Sequence, residues 1–285
     1  MNHGTVDADD SDGILSLTGY SKSNSGLFRA SNGGLLHLLS FSLDNSGGTI
    51  LADGGDVLLE GTSMNVSGGT IGSSGSSMIR SKNACLTGVT IPPGRWIDVP
   101  HNYSLYLYGD RVVNDGTIRV NDARTADATL DVRANLSLAG DGEILLNGDN
   151  EGDAILAYYG HVLTQEAGHT IRGSGGITAP LRNHGTVDAD RGAGGFLRIS
   201  GAEKQNDGLL RASGGGELQI YSCTIQNGSG TIFADGGNVD LYNQSNLVGG
   251  TLRSSGSSLL RARNGWFTGV SISAESRVEI PHGYT

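Results

Sequence analysis

Cysteine, proline and aromatic residues are all scarce in this chain, with 2 cysteines and 5 prolines in 285 residues and Phe, Trp and Tyr together at 6%. Two cysteines cannot supply the disulfide framework of a small secreted domain. So little proline excludes a collagen triplet and a proline-rich linker. No apolar run approaches membrane-spanning length, so no membrane insertion of this segment is expected. Basic residues are in deficit, 19 against 29 acidic for a net charge of −10, and they are scattered, which excludes a nucleic-acid footprint. No stretch carries the period of a long amphipathic helix.

What the chain does have is glycine, 47 residues of it, and repetition on two scales. The opening NHGTVDAD (Asn2 to Asp9) returns as NHGTVDAD at Asn183 to Asp190, and LFRASNGG, GGTILADGG and GGTIGSSGSSMIR are answered by LLRASGGG, SGTIFADGG and GGTLRSSGSSLLR. Residues 2–104 and 183–285 are therefore two copies of one block, with 105–182 as intervening coils of a single continuous domain over 1–285. Within each block a shorter unit recurs, with starts near Asn2, Asn24, Asn45, Val66, Gly88, Arg111, Leu136, Val162, Asn183, Asn206, Asn227, Leu247 and Gly269.

Each unit opens on a short strand such as TVDA, LFRA or TILA and turns through Gly, Asp, Asn and Ser. A second strand follows, with apolar residues flanking an outward one, as in Leu36-His37-Leu38, Ile97-Asp98-Val99, Leu130-Asp131-Val132 and Val239-Asp240-Leu241. Alternation of period two places one face inside and one outside, and units this short must stack on their neighbours to bury a core. The predicted fold is all-β: a single-stranded parallel β-helix, or β-solenoid, right-handed, with about thirteen coils of roughly 20 to 26 residues. At about 4.8 Å per coil the rod is on the order of 60 Å long, and Cys85 and Cys223, in the fourth and tenth coils, lie roughly 30 Å apart as unbridged buried thiols.

The turns carry the structural residues. Gly33, Gly34, Gly54, Gly55, Gly215, Gly216, Gly236 and Gly237 recur at matching bends, where a side chain would strain the turn. Asn2, Asn24, Asn45, Asn183, Asn206 and Asn227 recur at unit starts, as a ladder of side-chain amides or as simple turn formers.

Chemistry-bearing constellations are few. Asp98 and Asp131, read as outward residues of the second strand in consecutive coils, would stand about 5 Å apart and could bind calcium or share a proton. No Arg, His and Asp set recurs around that column as read here, and solvated aspartates are the competing reading. Asp7 with Asp9, and Asp188 with Asp190, share a face, but the period is more than double that of calcium-binding nonapeptides. His3 and His184, and His101 and His282 before Tyr103 and Tyr284, occupy equivalent turns, which points to turn roles. The outward column is too irregular for an ice-binding array. No catalytic residue, metal or cofactor is therefore assigned, and the chain is not expected to be an enzyme.

AGHTIRGSGGI (Ala167 to Ile177) leading into NHGTVDAD, then LLRASGGGELQI, GTIFADGGNVDL and GGTLRSSGSSLLR, resembles the repeat regions of large exported bacterial β-solenoid proteins, such as autotransporter passenger domains and filamentous haemagglutinin-like adhesins. The resemblance covers essentially the whole chain and implies an extracellular or cell-surface fibre or stalk, structural or adhesive, whose partners are other copies of itself or surface glycans. It carries over no functional residue. A pectate-lyase-like module that binds or degrades polysaccharide is the alternative. Met1 runs into the first unit without a basic or apolar leader and Thr285 falls inside a coil, so the expectation is an excerpt of a longer exported protein or a subunit that assembles end to end into filaments.

Overall fold

A computed structural model describes residues 1–121, 127–148 and 153–283, so Tyr284 and Thr285, which close the second copy of the repeat, lie outside the described residues. The chain is a parallel β-solenoid of 36 strands, every strand-to-strand ladder being parallel, with one short 3-10 turn at Tyr158–Gly160 as the only helix among the described residues.

Three ladders run the length of the rod. The first face begins at Thr5–Ala8 and continues through Leu27–Ala30 and Thr49–Asp53; the second begins at Ile14–Leu17 and continues through Leu35–Leu39; the third begins at Lys22–Ser23 and continues through Ser42–Asp44. Three long strands, Thr170–Ile177, Asn238–Val248 and Leu260–Thr268, bend round a corner and serve two ladders each. Register partners in successive coils lie between 16 residues apart (Thr170 to Thr186) and 27 apart (Glu143 to Thr170). The expected range of roughly 20 to 26 is exceeded in both directions, and the extremes adjoin each other in the intervening coils.

The interior is aliphatic. Inward residues such as Leu36, Leu38, Val57, Leu59, Ile79, Ile97 and Ile118 are fully buried, and each stacks on its counterpart one coil away. Strands of this kind hold few aromatics inside, because a column of identical pitch accepts Leu, Ile, Val and Ala interchangeably. Among the described residues, Phe28 and Phe41 are the buried Phe, Tyr or Trp side chains.

The glycine pairs divide their work. Gly33, Gly54, Gly215 and Gly236 have φ of 85°, 87°, 86° and 82°, in the left-handed region that glycine enters freely. The glycine after each is needed for space: a Cβ on Gly34 would lie 2.2 Å from the Ala8 carbonyl oxygen, and one on Gly216 2.2 Å from that of Ala189. Gly55 and Gly237 are equally crowded by the carbonyls of Gly34 and Gly216.

The unit boundaries read from sequence slip by one strand in mid-chain. Between Thr90–Ile91 and Thr117–Val120 lie three strands, Trp96–Val99, Ser104–Tyr108 and Arg111–Asn114, and the last of these begins a new coil on the first face. Thr117–Val120 therefore belongs to the second face, pairing with Trp96–Val99. From here on, the strand type that occupied the first face occupies the second. TVDA at Thr5–Ala8 is on the first face in the first coil, whereas TVDA at Thr186–Ala189 is on the second face in the ninth. The second copy of the block is thus displaced by eight coils and rotated by one face.

Candidate functional site

Asp98 and Asp131 are not brought together. Asp98 lies on the second face in register with Arg80 and Arg119, whereas Asp131 lies on the third face between Tyr106 and Leu156. The slip of one strand between them moved the expected pair onto different faces. Neither is a solvated carboxylate: they are 2% and 3% exposed. Arg119 grips Asp98 through Nε at 2.6 Å and Nη2 at 2.9 Å, a two-point contact that holds both oxygens. The basic partners that the misplaced column seemed to lack are Arg80 and Arg119. Asp131 accepts from Nη2 of Arg133 at 2.6 Å, and the guanidinium lies 4.8 Å from the Tyr106 ring centroid. Burial pushes the Asp131 carboxyl above its ordinary range, and Arg133 pulls part of that back.

The same pattern recurs around the rod. Asp188, 3% exposed, sits in register between Arg172 and Arg211 and accepts from Arg211 at 2.6 Å. Asp7 accepts from Arg29 at 2.9 Å. Asp240, completely buried, is held by Arg261 and, at 2.7 Å, by Arg263. Outward carboxylates and guanidiniums thus alternate along the axis, and among the described residues no group of three His, Cys, Asp or Glu gathers in a way that could hold a metal ion.

The densest arrangement of outward side chains lies on the third face of the second copy. Arg198 donates to Oε1 of Gln219 at 2.9 and 2.8 Å, Gln219 donates to Glu217 at 3.0 Å, and the Tyr242 hydroxyl donates to Glu217 at 3.1 Å. Arg198 stacks on Phe196 and Tyr221, and Arg263 on Tyr242, with centroid distances of 5.1, 4.7 and 5.6 Å. Burial beside Asp240 and Glu217 pushes the Tyr242 hydroxyl up to about 12. At the equivalent places of the first copy, on the second face, stand Ser16, His37, Leu58, Glu60, Arg80 and Lys82. Inward residues and turn glycines are kept between the copies, but this outward lattice is not, so it distinguishes one copy from the other.

The six recurring asparagines form two runs of amide contacts. Nδ2 of Asn2 donates to Oδ1 of Asn24 and Asn24 to Asn45, each at 2.7 Å, at the corner between the third and first faces. Asn183 donates to Asn206 at 2.7 Å and Asn206 to Asn227 at 2.6 Å, at the corner between the first and second faces. Asn24, Asn45, Asn183, Asn206 and Asn227 are buried.

Several buried polar residues carry no clear mark in the sequence, among them Asn114, Gln165, His169 and Lys204. Lys204, 2% exposed, donates Nζ to the carbonyls of Ser200 at 2.7 Å and Ala202 at 2.6 Å; burial pushes its pKa down to about 8. Its counterpart Lys22 donates to the carbonyls of Thr18 and Tyr20 with Nζ 4.5 Å from the Phe41 ring, so the retained lysine was the available signal. Where Phe41 stands in the first copy, the second has Cys223, and burial raises the Cys223 thiol as it does that of Cys85. Both cysteines are free and buried. His169 is fully buried and lies in the intervening coils, without a counterpart to mark it.

Fold and surface together define a parallel β-solenoid on which several buried carboxylates are paired with arginines of neighbouring coils. No family model, curated protein or solved structure matches the chain.

Proposed function

We propose that this chain is a structural or adhesive segment of an extracellular or cell-surface fibre of an exported bacterial protein. The observation that carries the reading is the continuity of the rod: aliphatic stacks inside, amide ladders at two corners and Asp–Arg pairs outside all bond along the axis. Bonds in that direction resist extension and local unfolding, and a varied exterior offers repeated weak contacts to surface glycans or to other copies of the chain. Hydrolytic cleavage of a polysaccharide, one form of the alternative, requires a carboxylate able to exchange a proton near substrate. Asp98 instead lies in a two-point arginine grip, in the lining of a cavity of about 250 Å³ shared with Arg80, Arg119, Leu145 and Asn147.

The test is a panel of immobilised polysaccharides and bacterial surfaces, scored for both binding and turnover. Retention without release of reducing ends or unsaturated products is the expected outcome. Turnover by the intact chain that disappears in Asp98→Asn or Asp131→Asn would establish the enzyme instead.

A further inference from the structure

His169 occupies a gap in the amide spine at the corner between the first and second faces. Along that corner Gln165, Asn183, Asn206 and Asn227 follow one another in successive coils, and two coils before Gln165 stands Asn114, with Ala139 and Gly140 in the coil between. Neither Ala139 nor Gly140 has a polar side chain to offer, and Gly140 lies directly against Asn114, whose carbonyl oxygen would be 2.5 Å from a Cβ there. The imidazole of His169 reaches back across this coil from the next, and its Nε2 stands 3.0 Å from Nδ2 of Asn114.

The amide fixes the direction of that bond. Asn114 Nδ2 also donates to the Glu143 carbonyl at 2.9 Å, while its Oδ1 accepts from the Gly116 N–H at 3.2 Å, so Nδ2 is the nitrogen and His169 Nε2 must accept. The proton is then on Nδ1, which is buried without a hydrogen-bond partner. A second proton would turn Nε2 into a donor aimed at another donor. Neither ring nitrogen has an acceptor as it stands: Gln165 donates Nε2 to the His169 carbonyl at 2.7 Å, and its Oε1 is buried without bonding to the ring.

We propose that protonation of His169 opens this corner, making the middle of the rod acid-labile while the flanking asparagine ladders hold. The charged groups around the imidazole have other engagements. Glu143, from the second face one coil away, is held by Arg172 at 2.6 Å. Glu166, in the same turn, accepts from Ser137 at 2.7 Å, and Asp115 accepts from the Asp141 N–H at 3.1 Å. Asp141 packs against Gly168. Glu143 and Asp115 favour the imidazolium, but burial outweighs them and pushes His169 from 6.5 to about 4. The folded pKa is depressed, so the unfolded or opened form binds the proton more readily, and stability at this corner falls as pH drops from 6.5 towards 4.

The test uses the full chain. Histidine-labelled NMR should find one of the seven imidazoles titrating near 4, assigned by its loss in His169→Asn. Hydrogen exchange, corrected for intrinsic rates, should lose protection across 138–145 and 163–172 by up to about tenfold per pH unit below 6.5, with the amides around Asn24 and Asn206 unchanged. His169→Asn should flatten that dependence. The absence of any imidazole titrating well below the ordinary value, or acid opening that spreads evenly along the rod, would overturn the proposal, and both readouts come from the unmodified protein should the variant not fold.

Discussion

A lysine ammonium is a poor core residue, yet Lys204 is buried because carbonyls at the end of one strand and in the following turn need donors that the backbone does not supply. Its stem fills apolar space while Nζ satisfies Ser200 and Ala202. Burial disfavours the charged form and the neighbouring Cys223 sulfur only partly opposes that, leaving the pKa near 8 against an ordinary 10.5. A depressed lysine means that the unfolded chain binds more protons between these values, so this residue's contribution to stability increases as pH rises from about 8 to 10.5. Relative to Lys204→Met, the wild-type protein should gain up to about 3 kcal/mol across that window in chemical denaturation. Cys223, raised by burial, has the opposite pH dependence above 9, and a Cys223→Ser background isolates the lysine. A flat difference between wild type and variant would mean that Nζ is solvated in the folded state.

At the scale of the strand and its turn, the amide ladders tie coil to coil through asparagines that are buried except for Asn2 at the end of its run. Asn206 is the middle member of its run, donating to Asn227 and accepting from Asn183. Asn206→Ala breaks both bonds and leaves buried amide groups unpaired, which should cost about 2–4 kcal/mol in urea unfolding. Asn2→Ala, at a half-exposed position with one ladder partner, should cost less than about 1 kcal/mol. Gly208→Ala is a harsher local test: its Cβ would lie 2.2 Å from the Gly185 carbonyl oxygen, so the coil must shift, and a drop in melting temperature larger than that of Asn206→Ala is expected.

The solenoid was legible in the sequence because its grammar is local: Gly33-Gly34 and its counterparts mark bends, and Leu36-His37-Leu38 alternates within three residues. The face on which a strand lies was not legible, since that depends on counting every strand before it. Arg111–Asn114 is only four residues long, with Val112 and Val113 adjacent where alternation would mark a strand, and counting it puts Asp131 on the third face and not the second. The lattice of Arg198, Gln219 and Tyr242 was equally hidden, because outward residues obey no periodic rule.

For the whole molecule, the displacement of eight coils and one face has a consequence for how the surface is displayed. The two copies repeat the same contacts on different sides of the rod. Arg29 and Ser31 bond to Asp7 on the first face as Arg211 and Ser213 bond to Asp188 on the second, and Ser74 bonds to Asp53 as Ser255 does to Asp235. Contacts between coils depend only on register along the axis, which is why a block can move to the next face without losing them. In a coil of three strands that move is about a third of a turn, and eight coils separate the copies by roughly 40 Å. The retained strips therefore cannot lie against one flat surface together. An antibody fragment selected against the Asp7, Arg29 and Ser31 strip, and tested for recognition of Asp188, Arg211 and Ser213, should decorate each rod twice, at two heights and two azimuths, in electron micrographs. Two fragments on the same side of the rod would contradict the rotation. If both strips serve as contacts, the chain joins partners in different directions, which suits a matrix or network better than a coat bound by one side.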